Sequence, residues 1–170
     1  ARGSFTKPDS DQKAILYRYC ETGHNRALNG IAIVEKGAVV CHLAYPGDWD
    51  NGVGALPDIN GNGRSELLIS SGGTNQGITW GTIRIIELSD TIVLTKFGGT
   101  KTLSDNCGAD EEKGSATAYR ILVKSGPMAD FYQELFVNKG ACSGTGVWEK
   151  SGKREKVSLE NDRTDYEFIR

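Results

Sequence analysis

No stretch of this chain carries apolar residues at a helical period over three turns. Short runs rich in β-branched and aromatic residues instead recur roughly every 8–15 residues between turn signals, the spacing of strands in an all-β sandwich, barrel or propeller-like array. Ala14–Cys20 is one such run. Ile31–Val34 and Ala38–Tyr45 flank Glu35-Lys36-Gly37 as a hairpin. Glu66–Ser70 is a short apolar strand ended by Gly72-Gly73. Thr82–Leu88 and Thr91–Thr95, with Ser89-Asp90 between them, form a second hairpin. Residues 98–114 read as a long glycine-rich loop. Thr117–Lys124 and Phe131–Val137 are strands on either side of a Ser125-Gly126-Pro127 turn, and Val147–Glu149 and Lys156–Glu160 flank a basic turn, Lys150 to Lys156. The expectation is an all-β fold of successive antiparallel hairpins forming blade-like sheets, either a propeller-like fragment or a compact β-sandwich or barrel. Residues 1–13 are a polar tail or capping strand, and 14–170 form one domain.

Composition narrows the function classes. The 22 glycines and 4 prolines suit a turn-rich globular chain and not collagen, coiled coil or low-complexity disorder. A net charge of −2 lacks the basic excess of a nucleic-acid binder. No apolar run is long enough to span a membrane as a helix. The chain opens Ala1-Arg2-Gly3-Ser4 with no signal peptide visible; the expectation is that one was removed or that the sequence starts downstream.

Four cysteines, Cys20, Cys41, Cys107 and Cys142, are widely spaced with no Cys-x-x-Cys pair. Zinc is disfavoured, and two disulfides in an oxidising compartment are expected, consistent with secretion. Pairing segments close in sequence gives Cys20–Cys41 and Cys107–Cys142. Four free thiols in a cytosolic protein are the alternative.

The stretch with chemistry is Asp58-Ile59-Asn60-Gly61-Asn62-Gly63-Arg64-Ser65-Glu66. Side-chain oxygens alternate at 58, 60 and 62, a glycine follows, and a carboxylate stands three residues after it. Calcium takes six to eight oxygens at about 2.3–2.6 Å. Alternating oxygens in a curled loop meet at one centre, the glycine allows the turn that brings in the Arg64 carbonyl, Glu66 closes the shell and Ile59 anchors the loop. The same string also builds metal-free β-turns, because Asn and Gly tolerate positive φ. With only two carboxylates, the expected affinity is that of extracellular modules, roughly 10⁻⁴–10⁻³ M.

Strands, not helices, flank this loop. Val53 to Ile69 resembles the calcium loop and strand of an FG-GAP repeat, the unit of integrin α-like propellers. Ser71-Gly72-Gly73 stands where the family has Gly-Ala-Pro, and Gly81–Ile86 resembles the strand that follows. The likeness covers about residues 47–95. The family usually has Asp where Asn62 and Glu66 stand, and its Ala-Pro is absent. The resemblance implies calcium held by Asp58, Asn60, Asn62 and Glu66 side chains and the Arg64 carbonyl.

Other motifs carry less. Asp105–Asp110 has oxygens at the wrong spacing, and Asp48–Gly52 is a turn with two carboxylates. His24 and His42 lack a nucleophile motif around them, and no phosphate loop is present. Trp49, Trp80 and Trp148 could pack in the fold or stack on sugars, and the Lys150, Lys153, Arg154, Lys156 run could meet an acidic partner. The expectation is a secreted, calcium-stabilised binding or adhesion module for an extracellular protein or glycan, without catalysis. The alternatives are a polysaccharide-acting enzyme or its accessory domain, and a small secreted inhibitor or interaction protein. Length is a constraint here. Propellers use about four to eight blades of roughly 40–50 residues, whereas 170 residues with about nine or ten strands fill between two and three. The chain is a piece of a longer protein, closes a ring as a homo-oligomer, or uses one blade-like unit in a smaller fold.

Overall fold

A computed structural model of the chain describes every residue except 24–25, 48, 89–94, 111–113, 144–145 and 159–170. Its elements are β1 (Arg2–Gly3), β2 (Gln12–Gly23), β3 (Arg26–Glu35), β4 (Ala38–Gly47), β5 (Asp50–Leu56), β6 (Glu66–Asn75), β7 (Ile78–Glu87), β8 (Thr95–Asp105), β9 (Ala116–Lys124), β10 (Asp130–Lys139) and β11 (Val147–Val157), with one 3₁₀ turn at Ala141–Ser143. The fold is all-β. Strands β1 to β4 form one antiparallel sheet in chain order, and β5 to β11 form a second, also in chain order.

The second sheet is continuous but uneven. Strands β6 and β7 pair from Leu67↔Ile86 to Asn75↔Ile78, whereas β8 and β9 share only Leu103↔Ala118, Ser104↔Thr117 and Asp105↔Ala116. Beyond that short seam β9–β11 turns back over the rest. The β6–β7 hairpin is consequently covered on both faces. Leu67, Ile69 and Ile86 join Phe5, Ile31, Ile33, Leu43 and Tyr45 in a core shared with the first sheet. Leu68 and Ile85 point the other way and pack with Ile59, Ile121, Val123, Phe131 and Val157. Burial on both faces explains why Leu67-Leu68-Ile69 and Ile85-Ile86 are consecutive apolar residues and not alternating ones. Each fully buried side chain of this kind stabilises by about 1.5–3 kcal/mol.

A buried ionic knot ties the first two layers. The Asp50 carboxylate, with no exposed side-chain surface, accepts hydrogen bonds from the Tyr45 hydroxyl (2.5 Å), the Ser71 hydroxyl and Arg84, whose Nη2 lies 2.6 Å from both oxygens. Asp50 is therefore a structural residue of β5, not part of an exposed turn. Asp48 and His24 lie outside the described residues.

Residues 1–13 act as a capping segment. Phe5 is fully buried, and the Gln12 side-chain oxygen accepts the N–H groups of Phe5 and Thr6. Several sequence expectations are corrected. Strand β8 occupies part of the region read as a long loop, and β6 runs on through Gly72-Gly73 to Asn75. Thr95 begins β8 and does not end a strand; residues 91–94 lie outside the described set. The basic turn is a bulge within one strand, since Gln133 pairs Glu155 and Leu135 pairs Ser151, leaving 152–154 opposite Glu134.

The disulfide expectation is half right. Cys107 and Cys142 are bonded, joining the end of β8 to the turn after β10. Cys20 and Cys41 are free thiols. Strand β3 lies between their strands, and Cys20 pairs Leu28 while Cys41 pairs Ile33. Two strand spacings and five residues of offset put them roughly 19 Å apart, far beyond the ~7 Å limit for a bridge. Cys41 packs against the first core, where burial raises its thiol pKa.

Candidate functional site

The loop between β5 and β6 curls over the face of the β6–β7 hairpin that carries Leu68 and Ile85. Ile59 anchors it in that second core at 2% exposure, as the sequence suggests. Two further contacts fix its edges. The Gly126 N–H donates to the Ile59 carbonyl (2.9 Å), tying the loop to the β9–β10 turn, and the Ser65 N–H donates to the Ser4 carbonyl (2.9 Å) of the capping segment.

Within the loop the backbone is organised around oxygen atoms. Asp58 accepts N–H bonds from Gly61 (2.7 Å), Asn62 (3.2 Å) and Gly63 (2.7 Å). Burial pushes its pKa up, but the Gly63, Gly61, Asn62 and Asn60 N–H groups outweigh that and hold it below the ordinary aspartate value. Asn60 Oδ1 accepts from Asn62 N–H (3.1 Å), and Asn62 Oδ1 from Arg64 N–H (2.9 Å). Gly61 and Gly63 sit at φ of 82° and 84°, the left-handed region in which a side chain is strained. These two glycines make the successive reversals that the alternation of oxygens requires.

Glu66 lies at the start of β6, beneath the loop and fully buried. One carboxylate oxygen, Oε2, accepts the Ile59 N–H (3.1 Å); the other, Oε1, is buried with no hydrogen-bond partner among the described residues. Burial pushes the Glu66 pKa up to about 7 against the Ile59 N–H and its own N–H, with the nearby Glu87 and Asp58 charges adding to the rise. A buried carboxylate oxygen without a partner costs free energy. It is a free acceptor on a side chain that lies beneath the loop.

One residue of the site escapes the sequence reading. Glu87, at the end of β7 and 4% exposed, accepts from the side-chain amides of Asn60 (2.7 Å) and Asn62, and from Arg64 Nη2 (2.9 Å). By taking both amide nitrogens, Glu87 fixes which end of each amide faces the loop. The sequence offers one partial signal: Glu87 alternates with Ile85 on one strand face, but only the pairing of Ile85 with Leu68 puts that face under the loop.

Asp58, Asn60, Asn62 and Arg64 lie in one hydrogen-bonded loop over Glu66, with Glu87 behind the two amides; among the described residues no group of three or more His, Cys, Asp or Glu side chains is placed to hold a metal ion. The donor set is all oxygen, the chemistry of a hard cation such as calcium. An unpartnered buried Oε1 and amides oriented by a carboxylate behind them fit such an ion.

The remaining candidates have structural surroundings. Asp105 accepts the Cys107 N–H and Asn106 the Ser115 N–H, so both cap turns. His42 stacks on Tyr17 with ring centroids 5.6 Å apart, and its Nε2 shares a 2.9 Å hydrogen bond with the Tyr19 hydroxyl. Trp49 and Trp80 are half-buried, whereas Trp148 is exposed. Comparison of the chain with family models, with curated proteins and with solved structures returns no match.

Proposed function

We propose that this chain is a calcium-stabilised extracellular binding module built around an FG-GAP-like loop, in which the metal stiffens the scaffold and the ligand binds elsewhere. The observation that carries the reading is the buried, unpartnered Oε1 of Glu66 beneath a loop of alternating oxygen side chains. Asp58, Asn60, Asn62 and Glu66 would hold the ion by side chain and Arg64 by its carbonyl. When bound, calcium supplies positive charge that neutralises the buried carboxylate and draws the loop oxygens together. The chain's own part is to hold those oxygens in place, through Glu87 on the amides and Ile59 in the core.

A stiffening role suits the location. The loop touches the capping segment through Ser65 and the β9–β10 turn through Ile59, so a metal here would fasten three parts of the chain. The disulfide is compatible with an oxidising compartment. A polysaccharide-cleaving reading needs two accessible carboxylates flanking a bond. Of the acids that meet at this loop, Glu66 and Glu87 are buried, both Glu87 oxygens are engaged by Asn60, Asn62 and Arg64, and the half-buried Asp58 carboxylate accepts three backbone N–H groups of the loop, which favours binding over hydrolysis.

The test is a thermal melt during calcium titration, with Asp58→Ala as control. A rise at millimolar calcium that Asp58→Ala abolishes supports the reading. An unchanged melt in both proteins refutes it. Solution size with and without EDTA, read on the same samples, separates a stiffened monomer from a calcium-dependent assembly.

A further inference from the structure

The face of β9–β11 directed away from the second core carries a charge pattern of its own. Strand alternation and register put Arg120 and Lys124 of β9, Asp130, Tyr132, Glu134 and Phe136 of β10, and Trp148, Lys150, Arg154 and Lys156 of β11 on this face. Five cations meet two carboxylates, a surplus of three positive charges on a chain whose net charge is −2.

Glu134 organises the cluster. It is 1% exposed, and both its oxygens are occupied. Oε2 accepts from Arg120 Nε (2.8 Å) and Nη2, and Oε1 from Lys150 Nζ (2.7 Å) and from Arg154 Nε and Nη2 (3.3 Å each). The bulge at 152–154 lets Lys150 and Arg154 reach the same oxygen although four residues separate them. The Lys150 and Arg120 bonds, against the opposing effect of burial, hold the Glu134 pKa down to about 2. One carboxylate therefore fixes three cations while neutralising one. The three side chains stay about half exposed, at 57%, 46% and 55%, with roughly eight of their N–H donors not used by Glu134. A second positive group lies four residues along β10, where Lys156 bonds Asp130 (2.5 Å) beside Lys124. At about 3.4 Å per residue the two groups are roughly 14 Å apart.

We propose that this face binds an extended acidic polysaccharide, carboxylated or sulfated, across both cation groups. A compact anion reaches one group only, whereas a linear polyanion engages both and gains from the linkage. Trp148, 44% exposed on the same face as Lys150, offers a flat apolar ring to a sugar. Nucleic acid is the less suited polyanion. Single strands stack successive bases on several aromatic faces, whereas the exposed ring here is Trp148 alone, Phe136 lying under the Arg120 guanidinium, 5.6 Å from the ring centroid. The assignment rests on the binding-module reading and supplies its ligand class, on a face separate from the calcium loop.

The experiment measures binding of the full chain to heparin oligosaccharide and polygalacturonate by calorimetry at 50 mM NaCl, with dextran and an oligothymidylate as comparators. Expected is binding to at least one acidic glycan and not to dextran, weakened roughly twentyfold at 200 mM NaCl by counterion release over three net charges. Lys150→Ala with Arg154→Ala weakens it about tenfold or more, and Lys13→Ala on the first sheet leaves it unchanged. Should the double variant unfold, Lys124→Ala with Lys156→Ala reads the other cation group. No glycan binding, equal binding by these variants, or tighter binding to oligothymidylate overturns the proposal. Melting with calcium and with EDTA on the same samples reports on the loop alone, so a calcium-shifted melt without glycan binding refutes the ligand and spares the metal.

Discussion

Replacing Glu66 by glutamine should reverse sign with pH, and the structure sets the size. In the metal-free protein the Glu66 pKa is raised from 4.5 to about 7. The folded state therefore holds the proton more tightly than the unfolded state. The cost of ionising Glu66 in the fold grows as pH rises from 4.5 and is complete above 7. At about 1.4 kcal/mol per pKa unit it reaches about 3 kcal/mol at pH 8. Glutamine removes the charge and keeps the shape. Its carbonyl takes the Ile59 N–H, and its amide nitrogen inherits the unpartnered position, costing about 1 kcal/mol. In EDTA at pH 8, Glu66→Gln should thus be more stable by about 2 kcal/mol, or about 4–8 °C in Tm for a domain of this size. At pH 5 the carboxyl is mostly protonated in the fold, and the variant should be slightly less stable. Calcium offsets the pH 8 difference and inverts it at the tighter end of the expected affinity. At 10 mM calcium and a Kd of roughly 10⁻⁴–10⁻³ M the wild type gains about 1.4–2.7 kcal/mol, and the variant gains far less. Differential scanning fluorimetry in four buffers, pH 5 and 8 with calcium or EDTA, reads all of this. An equal calcium shift in both proteins, or a variant less stable than wild type in EDTA at both pH values, refutes the reasoning.

Asp50→Ala should destabilise by about 3–5 kcal/mol in urea denaturation, because it leaves the Arg84 charge buried without its carboxylate; a loss below 1 kcal/mol contradicts the knot. At Gly30 an added Cβ would lie 2.4 Å from the Tyr17 ring, so Gly30→Ala should cost about 1–3 kcal/mol, and Tyr17→Ala in the same chain should recover part of it, a coupling that a double-mutant cycle measures. Thiol titration of the unfolded, unreduced protein should count two free thiols, Cys20 and Cys41. Removing the Cys107–Cys142 bridge, which spans 35 residues, should cost about 3–4 kcal/mol. Glu134→Gln should flatten the acid limb of stability, because the low Glu134 pKa contributes stability that is present above pH 4.5 and lost as pH falls towards 2.

What could be read from the chain and what could not divides along physical lines. Strands with β-branched runs, such as Ala38–Tyr45 and Thr117–Lys124, declare themselves by composition. Strands β5 and β8 do not, because their glycines and polar residues follow loop statistics and only pairing with β6, β7 and β9 makes them strands. The loop oxygens were legible because they are adjacent in sequence. Glu87 was not, since its role depends on the register that sets Ile85 against Leu68. The cysteine pairing failed in the same way: proximity along the chain says nothing of the strand, β3, that lies between Cys20 and Cys41.

The narrow β8–β9 seam has a mechanical meaning. Under tension a β-ladder yields where the fewest rungs share the load, and three rungs carry the passage from β8 to β9. Cys107 follows that seam directly, and its bond to Cys142 runs to the far end of β10. A pull that parts the rungs must therefore also stretch a covalent link. The joint that would peel first is the one riveted, and a reducing agent should lower the force at which the last three strands come away before it changes anything at the β6–β7 centre.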